Sequence, residues 1–336
     1  MPQPPYPLHE SVASKIHPEY AAFYNKHIIN AQPVHYQPLE ASRASGTLIP
    51  GAGPMIPVGK REDIALKRKE SDGPDVPVRC FTPAAEKAPE RGWPVLIYFH
   101  GGGWVLGNID TENVVCTNIC ARAECVVVTV DYRLSPENPF PAAVHDSWEA
   151  VLWVLSEGRT RLNLDTSRIG VGGSSAGGNL ATVMAHRCVA RNFPPLKIQL
   201  LSVPVTDNTA DVNNNSSYRD YEHTPALPAL KMLWFRRHYL PQESEWANSE
   251  ASPLFYPDDS PTWAGLPRAV VMVGELDVLR EEGEKYAAKL RKAGVEADLH
   301  VMEGMPHPFL AMDGVLEAGR QAITYMVEGC KQAFAV

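Results

Sequence analysis

The sequence predicts an α/β fold in which a mostly parallel central sheet carries helices on both faces. Short, continuously apolar runs recur along the chain, and such runs suit strands that are buried on both faces of a sheet. Helical patterns lie between the runs, so strand and helix alternate. With 44% apolar and 21% charged residues among 336, the chain fits one large domain, or a domain with an insertion.

The predicted strands fall into two groups. The segments REDIALKRKE and VPVRCFTP alternate in polarity and predict an early antiparallel pair. The continuously apolar runs, which predict the parallel part of the sheet, are PVLIYF, CVVVTV, RIGVG, IQLLSVP, AVVMVG and ADLHVM.

Helices are predicted between the strands and near the amino terminus. In AAVHDSWEAVLWVLSEG, the apolar residues fall on one helical stripe. In REEGEKYAAKLRKAG, Glu281 and Lys285 pair at i,i+4, and Gly294 ends the helix. Further helical segments are TENVVCTNICARAE and PEYAAFYNKHIINA.

About sixty residues between IQLLSVP and AVVMVG interrupt the alternation, which is too long for one crossover. They contain an Asn-rich loop and the aromatic segment ALPALKMLWFRRHYL. We therefore expect residues 207–250 to form an inserted cap segment that packs with an N-terminal cap segment, residues 1–57. The two parts of the core are then residues 58–206 and 251–336.

Charge and composition exclude several classes of partner. A net charge of −8 without a basic run predicts neither a nucleic-acid partner nor a membrane partner, because both need a basic face. The start MPQPPYPLHE has no basic or apolar region of a secretory signal, so we expect a cytoplasmic protein. Cys116 and Cys120 share a helical face, as a metal pair would, but we interpret the cysteines as small buried residues. We expect no cofactor and no metal.

The segment GGSSAGG contains a G-x-S-x-G motif centred on Ser175, between a strand-like run and a helical pattern. Gly173 and Gly177 make room for a sharp turn that lifts the Ser175 hydroxyl out of the sheet, at the positive end of the following helix. The motif alone leaves open an ordinary Gly-rich turn or a phosphate-binding loop. However, the Gly-Lys-Ser/Thr of a Walker-type loop is absent, and a dinucleotide fingerprint fits poorly.

A second Gly-rich segment, IYFHGGGWVLG, strengthens the interpretation of Ser175 as a nucleophile. Three consecutive glycines follow an apolar strand and free backbone N–H groups to point at one small oxygen. Together with the amide of Ala176, they would form an oxyanion hole. We expect His100 to hold this loop by a hydrogen bond rather than to act as a base.

A serine nucleophile needs an imidazole to take its proton and a carboxylate to orient that imidazole. His307 is preferred as the base because it follows the last strand in a turn rich in glycine and proline. Asp277, in VMVGELDVLR, is preferred as the acid, with Glu275 as the fallback and a helix N-cap as the alternative role for Asp277. The competing histidines lie mid-helix, within a strand or in the inserted segment: His186, His300, His223 and His238.

Six motifs occur in order over about residues 60–330: HGGGW, DYRLSPENPFPAAVHD, GGSSAGGN, SPL, GELDVLREEGEKYA and PHPF. In these motifs the sequence resembles the hormone-sensitive-lipase-like carboxylesterases, of the bacterial family IV type, which have the α/β-hydrolase fold with a helical cap. The resemblance implies a catalytic triad and an oxyanion hole, formed respectively by Ser175, Asp277 and His307, and by Gly102, Gly103 and Ala176. Two positions depart from the family pattern. Ser174 stands where an acid is frequent, and Pro308 stands where a glycine is frequent.

The predicted function is that of a serine hydrolase that cleaves carboxylic esters of small to medium acyl chain through an acyl-enzyme on Ser175. The expected partner is a small-molecule ester, and a homodimer is left open. A lactonase, thioesterase or acyltransferase with the same triad also stays open. A non-catalytic receptor on the same scaffold is disfavoured by His307. The candidates to line a substrate pocket, each interpreted first as core of the cap, are Phe23, Tyr24, Trp234, Phe235 and Tyr239.

Overall fold

The computed structural model describes residues 4–44 and 50–335 of the chain. In the described part of the chain, eight strands form one sheet. They are β1 (Lys60–Leu66), β2 (Val76–Thr82), β3 (Trp93–Phe99), β4 (Val126–Val130), β5 (Leu164–Ser174), β6 (Ile198–Ser202), β7 (Arg268–Gly274) and β8 (Ala297–Met302).

The spatial order of the strands is β1-β2-β4-β3-β5-β6-β7-β8. The six strands from β4 to β8 in this order pair in parallel, whereas β2 runs antiparallel to both of its neighbours. The predicted fold class, a mostly parallel sheet with an early antiparallel pair, is confirmed. All seven residues of β3 are buried, which explains why its sequence is continuously apolar instead of alternating.

The helices cover both faces of this sheet. Along β3, Val95 and Ile97 belong to one buried apolar cluster, and Leu96 and Tyr98 belong to another, because successive side chains of a strand point to opposite faces. The helices are α1 (Glu10–Ala13), α2 (Pro18–His27), α3 (Leu39–Ala44), α4 (Asn113–Ala123), α5 (Ala142–Leu155), α6 (Glu157–Arg161), α7 (Ala176–Ala190), α8 (Ser216–Asp220), α9 (Ala229–Tyr239), α10 (Thr262–Gly265), α11 (Arg280–Lys292) and α12 (Glu317–Phe334).

The longest of these helices, α12, is one that the sequence analysis did not predict. It packs against α4 and β6. Its buried face includes Ile323, Met326, Val327 and Cys330, which are spaced as the apolar stripe of a helix. The signal was therefore present in the sequence, in the segment EAGRQAITYMVEGCKQAF.

The N-terminal helices and the segment between β6 and β7 lie on the same side of the molecule. The rings of His9 and His223, one from each segment, lie 4.2 Å apart. The expected N-terminal cap range, residues 1–57, includes 1–3 and 45–49, which lie outside the described residues, as does residue 336 at the end of the second core part.

The structure also bears on the cysteines and on membrane insertion. All six cysteines are buried free thiols. Across residues 4–44 and 50–335, no group of His, Cys, Asp and Glu is arranged to hold a metal ion. Within the same ranges, no helix combines the length and the apolar character that crossing a membrane requires.

Candidate active site

Ser175 lies on a sharp turn between the end of β5 and the start of α7. Its backbone has φ +54° and ψ −117°, a strained conformation for a residue with a side chain. The turn is held by hydrogen bonds from the Ser175 amide to the Ser202 carbonyl (2.9 Å) and from the Asn179 amide to the Ser175 carbonyl (3.0 Å). The serine therefore stands at the carboxyl edge of the sheet, at the first turn of a fifteen-residue helix.

The glycines on either side of this turn are required by close packing. A Cβ atom on Gly173 would lie 2.5 Å from the Phe99 carbonyl oxygen and from the backbone of Gly177. A Cβ atom on Gly177 would overlap the same Phe99 carbonyl and would lie 2.5 Å from that of His100. Backbone atoms of a central strand cannot move aside, so only glycine fits at these two positions.

Replacing Gly177 with alanine should lower the free energy of unfolding by about 3 kcal/mol, at the upper end of overpacking costs, because no flexible group can relieve the overlap. Urea denaturation measures this loss. Gly294→Ala is the control, because a Cβ atom there meets nothing within 4 Å. It should cost less, through its φ of +82° alone. Equal losses in the two variants would contradict the steric explanation.

Ser175, His307 and Asp277 come together at the carboxyl edge of the sheet. His307 Nε2 lies 2.9 Å from Ser175 Oγ, and His307 Nδ1 lies 2.8 Å from Asp277 Oδ2. Asp277 is fully buried, and the side chain of His307 is 12% exposed. The second carboxylate oxygen of Asp277 accepts a hydrogen bond from the Leu279 amide (3.1 Å), which fixes its orientation.

The loop that carries His307 is held from two sides. The Gly304 amide donates a hydrogen bond to Glu275 Oε2 (2.7 Å). Glu275, the fallback acid, therefore connects the loop after β7 to the loop after β8 and is not hydrogen-bonded to His307. The Gly304 carbonyl accepts a hydrogen bond from the His17 amide (2.9 Å), just before α2. Gly304 has φ +65°, a conformation that favours glycine. The position of the imidazole thus depends on residues far away in sequence.

The predicted oxyanion donors come from two segments near the serine: Gly102 and Gly103 line the same cavity as Ser175, and Ala176 directly follows it. Gly102 and Gly103 have φ +120° and +63°, and the ring of Phe235 occupies the space where a Gly103 side chain would lie. Ala176 is the first residue of α7. Among the hydrogen bonds of the described residues, none is donated by the amides of these three residues. They are therefore available to a ligand oxygen.

His100 supports this loop, as the sequence analysis expected. It is 1% exposed, its Nδ1 lies 2.7 Å from the Gly101 carbonyl oxygen, and its ring stacks on Tyr132 at 4.3 Å. The Tyr132 hydroxyl donates to the His100 carbonyl (2.7 Å). Burial lowers the pKa of His100 to about 4, so this imidazole is neutral at pH 7.

Glu112 is a residue at the site that the sequence analysis missed. It is 5% exposed, directly precedes α4, and its Oε1 accepts a hydrogen bond from the Ser174 hydroxyl. Burial raises the pKa of Glu112, and this hydrogen bond lowers it in part. The only signal in the sequence was the departure at Ser174. A carboxyl group is present beside the nucleophile, but it comes from a different segment of the chain.

The raised pKa of Glu112 predicts a pH-dependent effect of Glu112→Gln on stability. A group with a raised pKa in the folded state stabilises the fold below its unfolded pKa, ordinarily 4.5, and this contribution is lost as the pH rises through the folded pKa. Glutamine does not titrate. The free energy of unfolding of Glu112→Gln should therefore rise relative to that of wild type as the pH increases above the unfolded pKa of 4.5, until the pH has passed the raised pKa of the folded state.

Urea titrations at several pH values would measure this difference, and Glu86→Gln in an exposed loop is the matched control. The other titrating groups are shared by variant and wild type, so their contributions cancel. A stability difference that is flat with pH would show that Glu112 is not a buried titrating acid.

A cavity of about 1130 Å³ opens onto Ser175, His307 and the oxyanion loop. Of the five aromatic residues proposed to line a pocket, Tyr24 and Phe235 line it. Phe23 and Trp234 do not, and the fully buried Tyr239 instead stacks on Trp104 with 4.1 Å between the ring centroids. Tyr239 is therefore a buried core residue that packs against the oxyanion loop and does not line the cavity.

A parallel sheet with a strained serine after its fifth strand is typical of hydrolases that use a serine nucleophile. A family model described as the alpha/beta hydrolase fold matches residues 96–311. The chain belongs to the α/β hydrolase family, and the resemblance found in the sequence motifs is confirmed at this level.

Individual relatives are similar over most of the chain. An AB hydrolase superfamily protein of Schizosaccharomyces pombe is 50% identical and covers 94% of this chain and 93% of its own. Carboxylesterase NlhH of Mycobacterium tuberculosis is 36% identical, with 77% and 79% covered. The solved structure of a hyperthermophilic esterase from the archaeon Pyrobaculum calidifontis matches with a TM-score of 0.84 and 31% identity, over 95% of this chain and 98% of that one.

Proposed function

We propose that this enzyme cleaves carboxylic esters of small to medium acyl chain through an acyl-enzyme on Ser175. The chain is a carboxylic-ester hydrolase, as its family and its esterase relatives indicate. The observation that carries the proposed mechanism is the unbroken connection from Ser175 Oγ through His307 to the buried Asp277, at 2.9 Å and 2.8 Å.

In the first half of the reaction, Ser175 Oγ attacks the ester carbonyl carbon while His307 Nε2 takes the hydroxyl proton. The carbonyl oxygen becomes an oxyanion, which the free amides of Gly102, Gly103 and Ala176 stabilise. When the intermediate collapses, the bond to the alcohol oxygen breaks, and His307 gives its proton to the departing alcohol. The acyl group then remains on Ser175.

In the second half, a water molecule attacks the acyl-enzyme and gives its proton to His307. The bond to Ser175 Oγ breaks, the acid product leaves, and the proton returns to the serine. Asp277 accepts a hydrogen bond from the His307 Nδ1 proton in every step. In the resting enzyme His307 Nε2 is therefore unprotonated and can accept the serine proton. This arrangement needs no metal and no organic cofactor.

The cavity supports a limit on acyl size. We assign its roof to a cap built from the described part of residues 1–57 and the inserted residues 207–250, because Tyr24 of the first segment and Phe235 of the second both line it. Aromatic side chains that cover the cavity from two segments would limit the bound acyl or alcohol group to a small or medium size.

We also propose that the enzyme works in the cytoplasm, which its six unpaired cysteines support. The edge strand β8, with Val301 41% exposed, supports association into a homodimer. Cell fractionation and light scattering would test these two proposals.

Covalent labelling tests the serine mechanism directly. A fluorophosphonate probe reacts with a serine that is activated by a neighbouring base, so one adduct per chain is expected, on the peptide that contains Ser175. Intact-protein and peptide mass spectrometry measure it. A protein that hydrolyses short-chain nitrophenyl esters but carries no adduct, or carries it on another serine, would exclude Ser175 as the nucleophile.

A further inference from the structure

The substrate cavity contains an ammonium group that has no acidic partner. Lys231 of α9 lines the cavity, and its Nζ donates to the Ala226 carbonyl at 2.7 Å. Among the carboxylates of the described residues, none forms an ion pair with it. Burial lowers the pKa of Lys231 to about 8, so the group is still protonated at pH 7. A partly buried charge with one hydrogen bond retains the capacity to donate two more.

This ammonium group is connected to the oxyanion loop through the ring of Phe235. Phe235 follows Lys231 by one helical turn, and Lys231 Nζ lies 5.7 Å from the centroid of its ring. The same ring packs directly against Gly103, one of the proposed oxyanion donors. A substrate whose carbonyl oxygen is bound at Gly103 therefore passes over Phe235 before it reaches the charge.

The N-terminal segment contributes a second polar side chain to the cavity near Lys231. His35 also lines the cavity, and its Nδ1 is buried without a hydrogen-bond partner among the described residues. Burial, together with the charge of Lys231, lowers the pKa of His35 to about 4, so its imidazole is neutral at pH 7. A neutral imidazole can donate one hydrogen bond to an anionic oxygen without adding charge.

We propose that Lys231, assisted by His35, binds a carboxylate carried by the substrate, so that the preferred substrates are half-esters of dicarboxylic acids. This inference rests on the proposed function and names the substrate class for the same site. One carboxylate neutralises one ammonium group and accepts charge-assisted hydrogen bonds from it. A doubly charged phosphate would leave a negative charge unmatched, because Lys231 is the only lysine or arginine among the described residues that line the cavity.

The test compares two esters of the same length, monomethyl adipate and methyl hexanoate, which differ only in the distal carboxylate. Proton release at pH 7 gives kcat/KM for each. Wild type should prefer the half-ester, and Lys231→Met should lower the ratio of half-ester to neutral ester by about tenfold to a hundredfold. Lys231→Arg keeps the charge and should restore most of the ratio.

Lys285→Met is the matched control. It also removes one positive charge, but from an exposed position on α11, where Lys285 pairs with Glu281. It should leave the ratio at the wild-type value. A ratio that Lys231→Met leaves unchanged overturns the inference, including the case in which both esters lose activity together because the lysine is only structural.

The failure of this inference differs from the failure of the proposed function. If wild type cleaves methyl hexanoate well and monomethyl adipate poorly, the carboxylate site is refuted and the serine esterase is not. If Ser175→Ala cleaves both esters at the wild-type rate, the proposed mechanism itself is refuted.

Discussion

Ser175→Ala is expected to lower kcat for a short-chain nitrophenyl ester by about a million-fold, the size of loss that removal of a serine nucleophile causes. The variant lacks the only hydroxyl group that lies 2.9 Å from His307 Nε2 in the described site. Residual hydrolysis would come from the oxyanion amides and the bound water, which act without an acyl-enzyme. Because traces of wild type would dominate such a slow rate, the variant is first treated with the fluorophosphonate, which inactivates wild type and has no nucleophilic serine to react with in the variant.

The neighbouring serine provides the control. Ser174→Ala removes a hydroxyl group one residue away that donates to Glu112 and does not contact His307. Loss of this hydrogen bond should cost about tenfold in kcat at most. If Ser174→Ala were as inactive as Ser175→Ala, or if Ser175→Ala kept substantial activity, the nucleophile would have to be reassigned.

Asp277→Asn is expected to lower kcat by about ten-thousandfold with little change in structure. Asp277 is fully buried and accepts the proton of His307 Nδ1 at 2.8 Å. An asparagine amide turned towards Nδ1 would donate instead, which places the imidazole proton on Nε2. An Nε2 that already carries a proton cannot take one from Ser175. Steady-state kinetics, with circular dichroism as a check on folding, measure the effect.

Glu275→Gln is the matched control, because it makes the same chemical change two residues earlier. Glu275 binds the Gly304 amide, and a glutamine oxygen can still accept this hydrogen bond. The expected loss is below about tenfold, the cost of one weakened hydrogen bond. A larger effect from Glu275→Gln than from Asp277→Asn would mean that Glu275 is the acid of the site.

The sequence predicts well those features for which neighbouring residues carry the physical reason, such as the strands and the turn at Ser175. The strand runs are continuously apolar because parallel strands are buried on both faces. Gly173 and Gly177 flank Ser175 because the backbone passes within contact distance of Phe99. The order of the motifs then limits which acid and which imidazole can meet the serine.

The features that sequence reasoning missed depend on contacts between distant segments. Glu112 and Ser174 are 62 residues apart, and nothing near either residue indicates that they pair. The polar groups of Lys231 and His35 meet only when the N-terminal segment packs against the inserted one. Helix α12 is a different case, because the apolar stripe that predicts it is present in its own sequence.

The hydrogen bond from the His17 amide to the Gly304 carbonyl joins the N-terminal segment to the loop that carries His307. Moving the N-terminal helices away to admit a larger molecule would break this bond and release one of the two restraints on that loop. The same hydrogen bond therefore affects both substrate entry and the alignment of His307 with Ser175. Selection for a wider entrance would also change the geometry of proton transfer.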